Sequence, residues 1–399
     1  MSDNVVQFPN GAPRKNRPEK PSQPKKSILP LIWRLVGIVL FVLVAVGIYV
    51  YRDELNIDQL SRSFANLNAQ AEDNFGAHNF GTHSTNRYTL YEGGLAVASV
   101  SGLELYDESS DLSEKIGNSM NNPAIYRGNK AVLAYDISGT NLAVADFNME
   151  ALAVLQIDGQ ILDADLSTKD SLVYSYANDA NKTVITVCND KMEEYFKWYS
   201  ATRYMPLCTI NEDGSLLAAT ALGQSGGVFQ TDLCLFDTSS EDAVTTVALG
   251  NQTYFDLEFL KSGTIVAIGE DSAQFLDETG TTITTYDYVA NELNQVSYWD
   301  SGDVTLCLQN YGEGNVNQLV TLNGNGDVVA ETTVDGVVVN ISNAGHYLAV
   351  LTTEWLWIFR DDLTVYGQTN QVIGTSAALM ESDGSCILIG GGVAELFMP

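Results

Sequence analysis

The sequence predicts an all-β ring of eight repeated units, and three observations predict it. A short apolar strand recurs at residues 95–98, 131–135, 172–176, 216–220, 264–269, 304–308, 347–351 and 386–390, at spacings of 36 to 48 residues that average about 42. That is the length of a four-stranded propeller blade, and shorter solenoid repeats do not fit it. A glycine turn precedes several of these strands, at Asp213-Gly214, Ser262-Gly263, Ser301-Gly302, Ala344-Gly345 and Asp383-Gly384, and supplies the backbone freedom of a tight hairpin. A composition of 45% hydrophobic and 18% charged residues, with 33 glycines and 19 tyrosines, describes a core-forming, strand-rich chain and excludes disordered, collagen-like and coiled-coil chains. The expectation is an eight-bladed β-propeller over residues 74–399, with a seven-bladed ring as the alternative.

The chain does not open on a blade. Residues 1–27 hold six bases, Arg14, Lys15, Arg17, Lys20, Lys25 and Lys26, against Asp3 and Glu19, and a proline-rich tail of that charge is expected to be disordered. Residues 28–51 are apolar except for Arg34, and 35–51 is an unbroken run of 17 apolar or glycine residues. Such a run can cross a bilayer while Arg34 snorkels toward the basic side. A cleaved signal needs a shorter apolar core and a small-x-small site, whereas this run ends in Tyr49, Val50, Tyr51 and Arg52. The segment therefore reads as a transmembrane signal anchor. Bases before it and Asp53, Glu54 and Asp58 after it put the N-terminus in the cytoplasm and the rest outside the cell membrane. Leu55, Leu60, Phe64 and Leu67 approximate a helical period, so residues 52–73 are expected to form a short juxtamembrane stalk helix.

Acids outnumber bases 50 to 20, a net charge of −30, which argues against nucleic acid and anionic lipid as partners. Residues 52–399 alone carry 13 bases and 48 acids, about −35, a surface that disfavours polyanions and tolerates cations.

Within the blades, a second amphipathic strand follows each apolar one and often ends in an apolar residue plus Asp, as at Tyr106-Asp107, Phe236-Asp237 and Leu276-Asp277. The Asp side chain can cap the turn before a polar outer strand. The eighth unit stops at Pro399 after its third strand. Closure then calls for a strand from the N-terminal side, within residues 74–83.

These residues also carry a resemblance. The stretch 102–146, with 103–107, Asn122-Pro123 and 131–136, and the stretch 204–237, with Met205-Pro206 and 211–219, resemble membrane-anchored, propeller-like proteins of Gram-positive bacteria classed as a domain of unknown function. The similarity covers the anchor and nearly all of the exported region. It implies an N-terminal anchor and an extracytoplasmic propeller with no established reaction. More distantly the chain is similar to quinoprotein-like, WD40-like and outer-membrane-assembly propellers. The quinoprotein tryptophan motif is absent from 107–116, and Trp299-Asp300 precedes an apolar strand where a WD40 signature would end a third strand.

Chemical motifs are sparse. Gly223-Gln224-Ser225-Gly226-Gly227 matches G-x-S-x-G, but 228–237 alternates like a strand where a nucleophile elbow requires a helix, so Ser225 reads as part of a glycine-rich hairpin. His78, His83 and His346 are too scattered for a zinc cluster. Asp163-Ala164-Asp165, Glu212-Asp213 and Asp361-Asp362 read as solvated acids on loops, without the fuller spacing of a Ca²⁺ loop. Cys188, Cys208, Cys234, Cys307 and Cys386 each sit in an apolar stretch and read as reduced core thiols, with one disulfide as the alternative. Aromatic side chains are the best signal of a binding surface: Tyr195, Phe196, Trp198, Tyr199 and Tyr204 in the third and fourth units, Trp355 and Trp357 in the seventh. Exposed, they could stack on sugars or anchor a protein; in alternating strands they fill the space between blades.

The functional expectation is a membrane-anchored binding or scaffold module for an unknown envelope protein or cell-wall component, held in the membrane by residues 28–51. No catalytic residue, metal or cofactor is assigned. A propeller enzyme (hydrolase or cofactor-dependent dehydrogenase) or a glycan-binding module is the alternative.

Overall fold

Strands that are apolar on both faces need cover on both faces, and the fold supplies it by stacking sheets around an axis. The computed structural model describes residues 84–91, 94–107, 112–240, 243–310 and 314–399. The expected anchor, stalk helix and closing strand, with His78 and His83, lie outside the described residues. The described residues form 31 strands and no helix, arranged as seven four-stranded antiparallel sheets and one of three strands. Each sheet is a blade whose strands follow one another outward in chain order.

The first strands are Arg87–Tyr91, Pro123–Arg127, Gln160–Leu166, Cys208–Ile210, Tyr254–Phe259, Glu292–Tyr298, Val338–Ala344 and Thr375–Met380, for blades 1 to 8. First strands of neighbouring blades pack against each other and line the central channel. The recurring apolar strand is the second of every blade: Gly94–Ser99, Ala131–Asp136, Leu172–Ala177, Leu216–Ser225, Ile265–Gly269, Val304–Asn310, Tyr347–Thr352 and Cys386–Gly390. Outer strands such as Ala151–Gln156 and Thr282–Asp287 alternate half-buried and exposed residues, because only one face of each meets a neighbour.

The core consists of eight apolar clusters, one at each joint between blades. The joint of blades 3 and 4 holds Val173, Ile185, Leu217 and Phe236, and that of blades 5 and 6 holds Val266, Phe275, Leu306 and Val320. The eighth cluster joins the ends of the ring, packing Leu90, Leu95, Val97 and Tyr106 of blade 1 against Ala377, Leu379, Ile387 and Ile389 of blade 8. The ring therefore has eight blades. Blade 8 shows three strands among the described residues, ending with Val393–Phe397.

The turns follow the sequence. Gly214, Gly263 and Gly384 take φ values of 75°, 85° and 91°, in the left-handed region that side chains disfavour. Asp237 Oδ1 accepts the Ser239 N–H at 2.8 Å, and Asp277 Oδ1 accepts those of Thr279 and Thr281 at 2.9 Å, so these aspartates cap their turns. All five cysteines are buried and free. Trp299 is buried, with its indole N–H donating to Thr305 Oγ1 at 2.7 Å.

One irregularity recurs. In blades 3, 5, 6, 7 and 8 the first strand carries a bulge, so that Leu162, Phe255, Asn294, Val339 and Ser376 have no partner in the register. A bulge re-aims the side chain that follows it. Those side chains are Asp163, Asp256, Gln295, Asn340 and Ala377.

Candidate functional site

Two of the five re-aimed residues are acids, and each is followed two positions later by another. Asp163 and Asp165 share one face of the blade 3 inner strand, Asp256 and Glu258 one face of that of blade 5. This corrects the expectation that Asp163 and Asp165 sit on a loop. Ile161, Ala164 and Leu166 pack into the joint with blade 2 and hold the segment as a strand, so the intervening acids project on its other side. Glu212, Asp213, Asp361 and Asp362 do lie in turns.

The acids tie blades together. Asp163 Oδ2 accepts the Cys208 N–H of blade 4 at 2.8 Å, and its Oδ1 accepts the Tyr135 hydroxyl of blade 2 at 3.0 Å. Asp165 Oδ2 accepts the Thr209 hydroxyl at 2.9 Å and Oδ1 the Leu166 N–H at 2.7 Å. Asp256 Oδ2 accepts the Tyr298 hydroxyl of blade 6 at 2.8 Å, and Oδ1 the Leu257 N–H at 2.9 Å. Tyr126 stacks on Tyr135, ring centroids 6.2 Å apart.

Electrostatics follow from this crowding. Burial pushes Asp163 up to about 7, with the Asp165 and Asp256 charges acting the same way and the Cys208 and Tyr135 hydrogen bonds opposing. Burial, and then the charge of Asp256, raises Asp165 against its two hydrogen bonds. Asp256 is raised by burial, and Glu258 well above the carboxylate range by burial and then by Asp165, Asp256 and Asp163. Burial also raises the Tyr126, Tyr135 and Tyr298 hydroxyls, helped by the same carboxylates. The charge of Asp256 in blade 5 reaches Tyr126 in blade 2 and, together with those of Asp163, Asp165 and Glu258, raises its hydroxyl.

Two cavities open where first strands turn into second strands. One, of about 310 Å³, is walled by Ser167, Lys169, Ile210, Asp213, Glu258 and Lys261 of blades 3 to 5. The other, of about 360 Å³, is walled by Leu90, Arg127, Tyr298, Asn340, Asn343 and Met380 from the rest of the ring. The site is thus a polar channel mouth with acids on the blade 3 and 5 side. Among the described residues no group of three His, Cys, Asp or Glu side chains takes a metal-holding arrangement.

The aromatic residues singled out by sequence divide into two sets. Tyr195 and Tyr199 lie on the outer strand of blade 3, Glu194–Ser200, and are 44% and 57% exposed. Tyr204, in the link to blade 4, is 47% exposed beneath the Lys182 ammonium, 5.4 Å from its ring centroid. Phe196 is buried, and the half-buried Trp198 packs on Phe236 at 4.9 Å. Trp355 and Trp357 are half-buried and stack in series with Phe359, at 5.7 and 6.4 Å.

The tyrosine corner adjoins the longest hairpin. Leu216–Ser225 and Val228–Asp237 run ten residues each, joined by Gly226 and Gly227 at φ 59° and 87°. Ser225 pairs with Val228, and a strand follows the turn where an elbow would need a helix. The Leu222 N–H donates to the Tyr204 carbonyl at 2.8 Å, and Arg203 pairs with Asp232 at 2.8 Å, so hairpin and corner are one surface. Val228 and Phe229 near the tip are 57% and 43% exposed. His346 is exposed, 2.7 Å from Asp361.

An eight-bladed propeller with a polar channel mouth is the class this geometry defines. The chain belongs to a family of unknown function (DUF5711), whose model matches residues 75–361. Among solved structures, the C-terminal WD40 domain of Sif2 is similar with a TM-score of 0.57 at 11% identity, over 78% of this chain and 93% of that one. The Dos1 propeller follows with 0.54 at 12%, over 77% and 90%. BamB from Moraxella catarrhalis scores 0.49 at 13%, over 79% and 97%. Likeness at such identities is one of fold. No curated protein matches the sequence.

Proposed function

We propose that this chain is a single-pass, membrane-anchored propeller outside the cell membrane of a Gram-positive bacterium, and that it acts by binding an envelope protein or cell-wall component. The carrying observation is the corner of blades 3 and 4, where exposed Tyr195, Tyr199 and Tyr204 stand beside a projecting hairpin bearing Val228 and Phe229. Rigid blades hold that corner, and aromatic side chains on a rigid support give large contact area at low entropic cost. The apolar run 35–51, with bases before it and acids after it, supports the anchor and its orientation.

One observation favours a second reading. Asp163 and its neighbours form a set of perturbed carboxyls in a channel, the environment in which hydrolases keep acid and base. The two are separated by immobilising the full chain in detergent and measuring capture of envelope proteins and cell-wall fragments across a salt series, beside a hydrolase and dehydrogenase substrate panel. Capture that falls several-fold in Tyr199→Ser and Tyr204→Ser supports binding at the corner. Turnover abolished by Asp163→Asn, Glu258→Gln or Ser225→Ala would falsify the binding reading. Orientation is tested separately: protease added to intact protoplasts should digest the propeller and spare an epitope at residue 5.

A further inference from the structure

Asp163 and Asn340 occupy the same place in two blades. Each follows the inner-strand bulge, and each accepts, at 2.8 Å, the N–H of the residue two before the end of the next blade's inner strand, Cys208 for Asp163 and Ala378 for Asn340. Two positions on, Asp165 accepts the Thr209 hydroxyl and Ser342 accepts the Met380 N–H at 3.1 Å. Blade 7 holds its neighbour with neutral side chains where blade 3 uses carboxyls. Blade 5 repeats the acids with Asp256 and Glu258.

A joint that works with Asn and Ser has no mechanical need of Asp, and the four carboxyls therefore bring something else to the ring. The titratable groups facing Asp163 are Tyr126 and Tyr135 from blade 2, Asp165 on its own strand, Cys208 from blade 4, and Asp256 and Glu258 from blade 5, with Tyr298 of blade 6 facing Asp256 and Glu258 in turn. None of these is basic; Lys169 and Lys261 share a cavity wall with Glu258 only, and no ion pair among the described residues reaches any of the four acids. Like charges held this way in a channel cannot all ionise without cost, so some keep their protons.

We propose that the acids of blades 3 and 5 are a proton-operated lock on the inner ring. With Asp163 protonated, it keeps the Cys208 amide bond as the neutral Asn340 keeps that of Ala378, no charge of its own faces Asp165, Asp256 and Glu258, and the blades sit tightly. As Asp163 ionises, repulsion among Asp163, Asp165, Asp256 and Glu258 pushes blade 3 from blade 5, working against the Cys208 and Thr209 hydrogen bonds that a carboxylate accepts more strongly, and so strains the inner ring beside the channel mouth.

The direction of the pH effect follows from linkage. Asp163 rises from 3.8 in an unstructured chain to about 7 in the ring. Between those values the folded protein holds a proton that the unfolded chain has released, so stability falls as pH rises through this window and levels off above it. Asp165, Asp256 and Glu258, all raised, act in the same direction.

The test is thermal melting of the full chain in detergent, followed by tryptophan fluorescence, at about pH 5 and about pH 8. The wild type should melt several degrees lower at the higher pH. Asp163→Asn, which copies the Asn340 joint, should raise the midpoint at the higher pH and shrink the difference between the two by about half or more. An Asp163→Asn protein with an undiminished pH difference, or with a lower midpoint than wild type at the higher pH, overturns the proposal. Infrared spectroscopy of the wild type serves independently of any variant: a protonated carboxyl band should persist at about pH 5.5 and lose intensity between about pH 5.5 and about pH 8.5 as Asp163 ionises, and its complete loss below about pH 5 overturns the lock.

Discussion

Asn340 holds Ala378 twice, its Oδ1 accepting the amide at 2.8 Å and its Nδ2 donating to the carbonyl at 3.1 Å. Ala378 is fully buried, so neither backbone group has water as a substitute. Asn340→Ala should therefore cost about 2–3 kcal/mol, two lost hydrogen bonds with their partners stranded. Asn340→Asp keeps the acceptor, loses the donor and adds a charge, so it should be milder than Ala at about pH 5 and worsen toward neutrality. Urea midpoints at two pH values check both.

Two glycines with the same backbone requirement should respond differently to alanine. Gly226 and Gly326 have φ 59° and 80°, but a Cβ on Gly226 meets nothing within 4 Å, whereas one on Gly326 in blade 6 runs into Thr284 and comes within 2.8 Å of Phe275, both in blade 5. Gly226→Ala should cost about 1 kcal/mol from strain alone. Gly326→Ala should cost several times that, because it wedges a buried joint. Chemical denaturation of the two variants separates strain from collision.

The five thiols should be silent in the native state. Burial lifts Cys188 to about 11 and Cys307 to about 12, leaving almost no thiolate at neutral pH. Iodoacetamide labelling followed by intact mass should show no modification of the folded protein and five additions after unfolding. A rapidly labelled native cysteine would contradict this burial.

The third strand of blade 8, Val393–Phe397, pairs on one side with Cys386–Gly390. Links from an outer strand to the next inner strand span only a few residues, as from Val328–Asp335 to Val338–Ala344. The inner strand of blade 1 starts at Arg87, and the sequence expectation is that residues 74–83 supply the fourth strand of blade 8. Deleting them should lower the melting temperature or cause aggregation through the open edge. An unchanged melting curve would mean that the ring is complete without them.

Second strands were legible because they are buried on both faces: Ala131–Asp136 and Cys386–Gly390 are short apolar runs behind a turn, and their spacing announces a blade. The inner strands were not, for two physical reasons. Bulges at Leu162 and Phe255 break the period of two, and channel-facing acids make a strand such as Gln160–Leu166 look like a turn. Asp256, Glu258, Tyr126, Tyr135 and Tyr298 were missed altogether, since they come together only through the packing of blades 2 to 6 against one another. A signal existed: overlaying the units on their apolar strands puts Asp163-x-Asp165 and Asp256-x-Glu258 just ahead of that strand in units 3 and 5. Among the aromatics, exposure of Tyr199 and burial of Phe196 follow from strand alternation, but which face met blade 4 was decided by Phe236, 40 residues downstream.

The cluster that joins Leu90 to Leu379 sets a timetable for biogenesis. Its two halves stand nearly 300 residues apart in the chain, so the seam can shut only after the last blade has been delivered. Until then a growing chain shows bare apolar flanks at both ends of an open arc, which invite neighbouring nascent chains. A truncated product that loses blade 8 would keep two flanks bare permanently, those of blades 1 and 7, and should be found with chaperones or proteases, however well its other blades are formed.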